Sequence, residues 1–248
     1  NADLLSRIGP PTSAGNRPLP PASSRSLVDE IKKKTGIVTR HWVGEGETTA
    51  TLAIDAAKKA LQSADLSPAA IDLIVVSTSS PDMFFPSVAC LVQKAIACPS
   101  IPAFDINASC SGFLYALSIG NQYIRSGVAQ NALIIASEVK SVYLDPHNPQ
   151  TTSLFGDGAG AVVLSKSRRG RGIRSLQIFS GGPSKQLIYL PAGGSRSPLS
   201  PHSFERDLHY MKMEGTKLFR LAAKKMEDSV SCLLKENEIS IKEVDLFI

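Results

Sequence analysis

AFDINASCSGFLY, spanning Ala103–Tyr115, holds the join on which the fold reading turns. Ala103–Ile106 is a short run suited to a buried strand, and Ser111–Arg125 carries Phe113, Leu117 and Tyr123 or Ile124 at helical spacing before Gly127 ends it. Cys110 therefore falls between a strand and the first turn of a helix. At such a join, unpaired amide N–H groups and the positive end of the helix dipole favour a thiolate, and small flanking residues admit a substrate to the sulfur. A backbone amide there can also hold a developing oxyanion. Taken from the residues alone, Cys110 reads equally well as an activated nucleophile and as a buried, inert thiol.

Outward from this join the same alternation continues. Upstream, Thr48–Ala64 spaces Leu52, Ala56, Ala60 and Ala64 as an amphipathic helix, and Ser67-Pro68 supplies a cap and a first-turn proline. Ile71–Thr78 is a β-branched run expected to be buried on both faces, followed by a helix near Ser87–Ala97. Downstream come strands at Ala132–Ser137 and Ala159–Ser165, the latter after the turn Phe155-Gly156-Asp157-Gly158. Strands separated by helices predict a layered α/β fold with a largely parallel sheet. Ile173–Phe179 and Gln186–Leu190 read as hairpin strands, and Tyr210–Glu236 as one long helix. Gly9–Ser26, rich in Pro, Gly and Ser, reads as an exposed loop or partly disordered insertion.

Composition narrows the class. The chain has 248 residues, 43% of them hydrophobic, enough for a substantial core. Its longest apolar runs, Ile71–Val76 and Ala159–Leu164, are too short to cross a bilayer, and Asn1–Ile8 lacks the pattern of a signal peptide, so a soluble protein is expected. The net charge of +5 is mostly scattered, which argues against a nucleic-acid surface; Lys217, Arg220, Lys224 and Lys225 share much of one helical face. Cys90, Cys98, Cys110 and Cys232 form no C-x-x-C pair and have no histidine at metal-ligand spacing, so neither a zinc site nor a disulfide framework is expected. Few unpaired cysteines suit a reducing cytoplasm, and Cys90, Cys98 and Cys232 fit buried small apolar positions within helices.

One internal echo stands out. The helix containing Ala56-Ala57-Lys58-Lys59 leads into Leu66-Ser67 and Ile71-Asp72-Leu73-Ile74-Val75; the helix containing Ala222-Ala223-Lys224-Lys225 leads into Ile239-Ser240 and Val244-Asp245-Leu246-Phe247-Ile248. A helix–turn–strand unit occurring twice predicts two related halves, the first at 1–166 and the second beginning within 167–248, most of it missing.

The motif at Ala103–Tyr115, together with FGDGAGA at Phe155–Ala161, resembles β-ketoacyl-acyl-carrier-protein synthase III, a condensing enzyme of the thiolase superfamily. Asn1-Ala2-Asp3-Leu4, Thr35-Gly36-Ile37, Arg40-His41, Phe85-Pro86-Ser87 and Met213, Gly215, Phe219 extend the likeness over the chain apart from Gly9–Ser26. The resemblance implies a duplicated thiolase-like α/β fold and a cytoplasmic homodimer of fatty acid biosynthesis. It makes Cys110 the nucleophile, acylated from acyl-CoA or acyl-carrier protein and then condensed with malonyl-carrier protein, with no metal or redox cofactor. It further implies that Phe155, Met211, Gly215 and Phe219 bind the acyl chain, with Phe85 reaching a partner's pocket; ordinary core roles are the alternative for these hydrophobes. Lys34 would contact the coenzyme A nucleotide, and Lys217, Arg220, Lys224 and Lys225 would dock the acidic carrier protein.

Departures from the family pattern carry expectations of their own. The catalytic histidine and asparagine of the family fall beyond Ile248, its opening strand falls before Asn1, and His41, His147, His202 and His209 match other positions. The chain as it stands is therefore expected to be catalytically incomplete. The family's tryptophan near Ile31 and arginine near Pro149 are absent, and lysine at Lys34 cannot reproduce a guanidinium fork, which favours carrier protein or an unusual acyl-CoA as donor. Two other functions stay open: a thiolase-fold acyltransferase of secondary metabolism, and a non-catalytic partner subunit.

Overall fold

A computed structural model describes residues 21–167, 172–182 and 186–247, except for the side chains of 21–27. The described residues divide into two units, one drawn from 45–138, 158–167, 172–182 and 219–247, the other from 21–44, 139–157 and 186–218.

The first of these units is built on β1 (Leu73–Ser77), whose five residues are all buried. β1 lies between two parallel neighbours, β2 (Ala103–Ile106) and β3 (Asn131–Glu138), and β4 (Gly158–Ser165) closes the order β2-β1-β3-β4 antiparallel to β3. The sheet is thus mixed rather than wholly parallel. The unbroken apolar run of β1 follows from its position, because alternate side chains enter different cores. Ile74 and Val76, with Leu133 and Ile135 of β3, meet helices α2 (Thr49–Ala64) and α3 (Val88–Ala95). Leu73 and Val75, with Ala132 and Ile134, meet α4 (Gly112–Arg125). Each such buried aliphatic side chain contributes about 1.5–3 kcal/mol.

Polar groups lock this layering. Asp72, just before β1, accepts hydrogen bonds from the N–H groups of Gln130 and Asn131 at 2.7 and 3.0 Å, which holds the start of β3 beside it. The Asp105 carboxylate of β2 accepts from the N–H groups of Val88 and Ala89 at 2.7 and 2.8 Å, occupying the free N-terminal amides of α3. α4 approaches the sheet through Gly112, Ala116 and Gly120, all buried. A Cβ at Gly120 would stand 2.6 Å from Ile134 Cδ1, and one at Gly112 only 1.9 Å from Ser77 Oγ.

The second unit contains α1 (Pro21–Thr35), α5 (Pro149–Thr152), α6 (Pro201–Glu205) and a ladder of β5 (Ile188–Tyr189) with β6 (Lys212–Met213). Asp157 organises its centre: the carboxylate accepts from Val43 N–H, Ser141 N–H and Ser141 Oγ at 2.8, 2.8 and 2.5 Å. Arg40 Nη2 donates to the Ser153 carbonyl at 2.6 Å. Finally α7 (Gly215–Glu236) runs toward a 3-10 turn at Ile241–Glu243.

Several expectations are corrected. Pro21–Ser26 belong to α1, where the alternation-free composition predicted a loop; Gly9–Pro20 lie outside the described residues. Ile173–Phe179 forms no strand, and Ile188–Tyr189 pairs instead with Lys212–Met213, a long-range choice that local pattern does not encode. That pairing also shortens the helix expected from Tyr210, which begins at Gly215. β2 is half-buried along its length because it is the edge strand of its ladder. Pro68 opens a 3-10 turn as expected, but the Ser67 side chain makes no cap bond.

Gly120→Leu is expected to lower the unfolding free energy by about 2 kcal/mol or more, since overpacking costs ~1–3 kcal/mol and neither Ile134 nor Leu164 lies at a free surface. Urea denaturation against an exposed control, Gln122→Leu, reads the difference.

Candidate active site

Cys110 occupies a 3-10 turn, Ser109–Ser111, four residues past the carboxyl end of β2 and two before α4 begins. Crevices at the carboxyl ends of parallel strands are where open α/β sheets place reactive groups. The chain reverses there through Ser109, whose φ of 47° lies in the left-handed region. That conformation costs a non-glycine residue on the order of 1–3 kcal/mol. Ser109 N–H reaches Asn107 Oδ1 at 3.4 Å, and Ser111 N–H the Ala108 carbonyl at 3.2 Å. The turn then meets Gly112, which can press against Ser77 only because it has no Cβ. The elbow is therefore anchored to the last residue of β1, and Cys110 is exposed on it. The Ser111 side chain makes no cap bond at the start of α4, two residues after Cys110.

The other thiols differ in setting. Cys98 is half-buried, its Sγ 3.2 Å from the Pro68 carbonyl, and burial together with the charge of Asp72 raises its pKa. Cys90 and Cys232 are exposed, which corrects their expected burial: each stands on an outer face of its helix. Asp105 is also pushed above the ordinary carboxylate value, by burial first and by Asp82 second, although the two α3 amides pull the other way.

The remaining candidates fall in both units. Phe85 is 84% exposed beside Phe84 in the segment before α3. Phe219, on α7, is 74% exposed. Met211 is buried and donates its N–H to the Tyr143 carbonyl at 2.8 Å, while Phe155 is half-buried with its carbonyl accepting from Trp42 Nε1 at 3.2 Å. Gly215 opens α7, where an added Cβ would touch Met213 Cε at 3.4 Å. Lys34 is exposed at the end of α1 and pairs with Glu30 at 2.5 Å. Lys217 pairs with Glu214, and Lys224 with Asp228 at 3.0 Å and Glu227 at 3.5 Å, so same-helix carboxylates offset part of the basic face; Arg220 and Lys225 are exposed. Within neither unit does a hydrogen bond, ion pair or ring contact among the described residues join two of these candidate side chains. Two clefts, of about 300 and 540 Å³, are lined by Ala60, Ser63 and Ala161 and by Gln130, Asn131 and Ser165, and neither includes Cys110.

Sequence reasoning missed Asp157 as an organising residue, although FGDGAGA held the signal: a lone acid among glycines, whose partners must come from other segments, here the Val43 and Ser141 amides and the Ser141 hydroxyl.

The fold and the elbow together define a thiolase-like α/β protein with a cysteine at a strand–helix join. The profile of 3-oxoacyl-[acyl-carrier-protein (ACP)] synthase III matches residues 104–182, which contain Cys110. A β-ketoacyl-[acyl-carrier-protein] synthase III of Caldanaerobacter subterraneus subsp. tengcongensis is 38% identical over 218 residues, covering 88% of this chain and 66% of the relative. One from Clostridium perfringens (strain SM101 / Type A) is 40% identical, with 88% and 67% covered. The crystal structure of 3-oxoacyl-[acyl-carrier-protein] synthase III from Aquifex aeolicus VF5 superposes with a TM-score of 0.77 at 37% identity, over 88% of this chain and 66% of that one. The chain belongs to the β-ketoacyl-[acyl-carrier-protein] synthase III family. It spans about two thirds of the length of the curated relatives it matches, 66% in the case of the Caldanaerobacter protein. Among the described residues no helix is long and apolar enough to cross a membrane.

Two outcomes test the local chemistry. Timed iodoacetamide labelling with peptide mass spectrometry is expected to find Cys98 the slowest of the four cysteines, gaining rate only at more alkaline pH, because its raised pKa lowers the thiolate fraction. Carboxyl-carbon NMR is expected to place the Asp105 midpoint above that of an unstructured aspartate. The sign of the linked effect follows: a raised folded pKa stabilises at pH below the unfolded value, and this contribution is lost as pH climbs through the folded value.

Proposed function

We propose that this chain carries the acyl-accepting part of a condensing enzyme of fatty acid biosynthesis. The observation that carries the reading is the exposed Cys110, held on a strained elbow at the mouth of α4, inside the segment matched by the family profile. The sulfur attacks an acyl-thioester carbonyl; a new S–C bond forms, the original C–S bond breaks, and the donor leaves as a free thiol. A malonyl-thioester then loses carbon dioxide, and its enolate attacks the acyl-cysteine carbonyl to release a β-ketoacyl product and regenerate the thiol. Splitting the transfer at a covalent intermediate suits a cysteine, and no metal or redox cofactor enters either step.

The acyl donor is proposed to be carrier protein in preference to acetyl-CoA. Lys34, bound to Glu30, offers neither a stacking ring nor a fork for a nucleotide. Arg220 and Lys225, with Lys217 and Lys224 beside them, supply a surface for an acidic carrier, attraction to which fades with salt. Phe155, Met211, Gly215 and Phe219 are proposed to bind the acyl chain, Phe85 to enter the pocket of a second copy in a homodimer, and the protein to work in the cytoplasm. By resemblance, the histidine and asparagine that assist condensation fall beyond Ile248.

Incubation with an acyl-carrier protein is expected to add one acyl mass to the peptide bearing Cys110, and Cys110→Ser to lower that labelling at least about 100-fold. Acylation of Cys90 or Cys232 with Cys110 unmodified rejects the reading. Carbon dioxide release and a product two carbons longer separate condensation from simple acyl transfer.

A further inference from the structure

At its carboxyl end the apolar run of β1 gives way to Ser77-Thr78-Ser79-Ser80, hydroxyl side chains in unbroken succession. Ser77, Thr78 and Ser80 are buried, as are Thr49 and Ser137 beside them, and buried polar groups keep their place through bonds within the protein. The β1–β3 ladder ends at the pair Ser77–Ala136. Two residues further along each segment, the Glu138 carboxylate takes over. Its Oε1 accepts from Ser79 N–H at 3.0 Å and from Ser79 Oγ at 2.8 Å, and its Oε2 from Ser80 Oγ at 2.5 Å. From other sides, Thr78 N–H donates to the Ile106 carbonyl at the end of β2 at 3.1 Å, and Thr49 Oγ1 of α2 to the Ser80 carbonyl at 2.5 Å. Ser137 Oγ in turn donates to the Thr49 carbonyl at 2.8 Å.

This exit from β1 is what the cysteine elbow rests on. A Cβ on Gly112 would stand 1.9 Å from Ser77 Oγ, while the Gly112 N–H is bonded to the Ser109 carbonyl. The contact with Ser77 is one of packing, so it fixes Cys110 only as firmly as the backbone of 77–80 is held from behind. Glu138 supplies that hold, because one amide and two hydroxyls from successive residues converge on its carboxylate. Hydrogen bonds to a carboxylate are the stronger kind.

We propose that Glu138 is a positioning residue for acyl transfer to Cys110, an inference that rests on the reading of Cys110 as the nucleophile. Its part is geometric. The carboxylate fixes Ser79 and Ser80, the fixed exit backs Ser77 against Gly112, and the elbow presents the sulfur to the incoming thioester carbonyl. A displacement of about 1 Å at such a point costs a reaction roughly 100-fold, so a loosened exit shows in rate rather than in donor affinity. Glutamine preserves the arrangement, since its Oε1 accepts from Ser79 and the Ser80 hydroxyl turns to accept from its amide. Leucine removes every one of these bonds.

Single-turnover acylation by acyl-carrier protein, in the protein expressed at the length of its relatives, reads the difference. Glu138→Leu is expected to lower the maximal rate at least about tenfold at an unchanged half-saturating donor concentration. Glu138→Gln is expected to restore the rate to within about threefold of the unsubstituted protein, and neither change to move the pH midpoint of Cys110 alkylation. Ser79→Ala and Ser80→Ala, made together, are expected to reproduce the loss and to add no more than about twofold to that of Glu138→Leu. If Glu138→Leu does not fold, the serine pair carries the test. An undiminished maximal rate, an equal loss in Glu138→Gln, or a shifted alkylation midpoint overturns the proposal. Should the unsubstituted protein not acylate Cys110, the functional reading fails by itself. Exchange of the Ser111 and Gly112 amides, bonded to the Ala108 and Ser109 carbonyls, then decides whether Glu138 holds the elbow: at least about tenfold faster in Glu138→Leu is expected, and no change overturns it.

Discussion

Helix α4 can lie against the sheet only because Gly112, Ala116 and Gly120 leave no bulk between its backbone and the strands. The close approach ties the end of β1, through Ser77, to the residue two positions after Cys110. Cys110, on an otherwise exposed turn, gains its fixed position from packing two residues away rather than from bonds to its own side chain. The same contact lets Leu73, Val75 and Ile134 bury their side chains under α4, so the core and the elbow share one constraint. Where the turn itself is strained at Ser109, the buried sheet is what holds it so.

Much of this was legible in the residues, and the reason is periodicity. The β1 run and the spacing along α2 and α4 each report a regular local geometry, and both helices and the strands appear within a residue or two of the expected bounds. The layered α/β class followed from the alternation, and the thiolase-like class from the resemblance carried by the Cys110 motif and FGDGAGA. Illegible features were those set by distant partners. Ile188–Tyr189 looked like half of a local hairpin but joins Lys212–Met213, and the pairing stopped α7 from starting at Tyr210. The exposure of Cys90 and Cys232 depended on which helix face met the core, and a cysteine gives little bias either way. The role of Asp157 required knowing that residues 43 and 141 converge on it.

The likeness between the two helix–turn–strand joints changes in kind once geometry is added to it. Similar residues alone could reflect similar duties, since any amphipathic helix entering a strand selects small and aliphatic side chains. Shared left-handed stops, matching 3-10 turns and shared backbone bonds at one spacing leave the duplicated architecture of the family as the common origin of both, although only Ser240 caps its turn. The difference between them is what each meets: one joint is enclosed by a sheet and two helix layers, while the other offers its apolar face to solvent.

The sequence separation of the polar locks also orders how the chain assembles. Asp105 reaches the α3 amides across 17 and 16 residues, a closure made as soon as β2 exists. Asp157 reaches Val43 across 114 residues and Arg40 reaches Ser153 across 113. Loop-closure entropy grows with that separation, and synthesis runs from the amino end. During translation the βα layers around β1 can thus condense while residues 40–43 still wait for the Ser153–Asp157 turn to be made, which leaves that early segment open to chaperones and proteases longest.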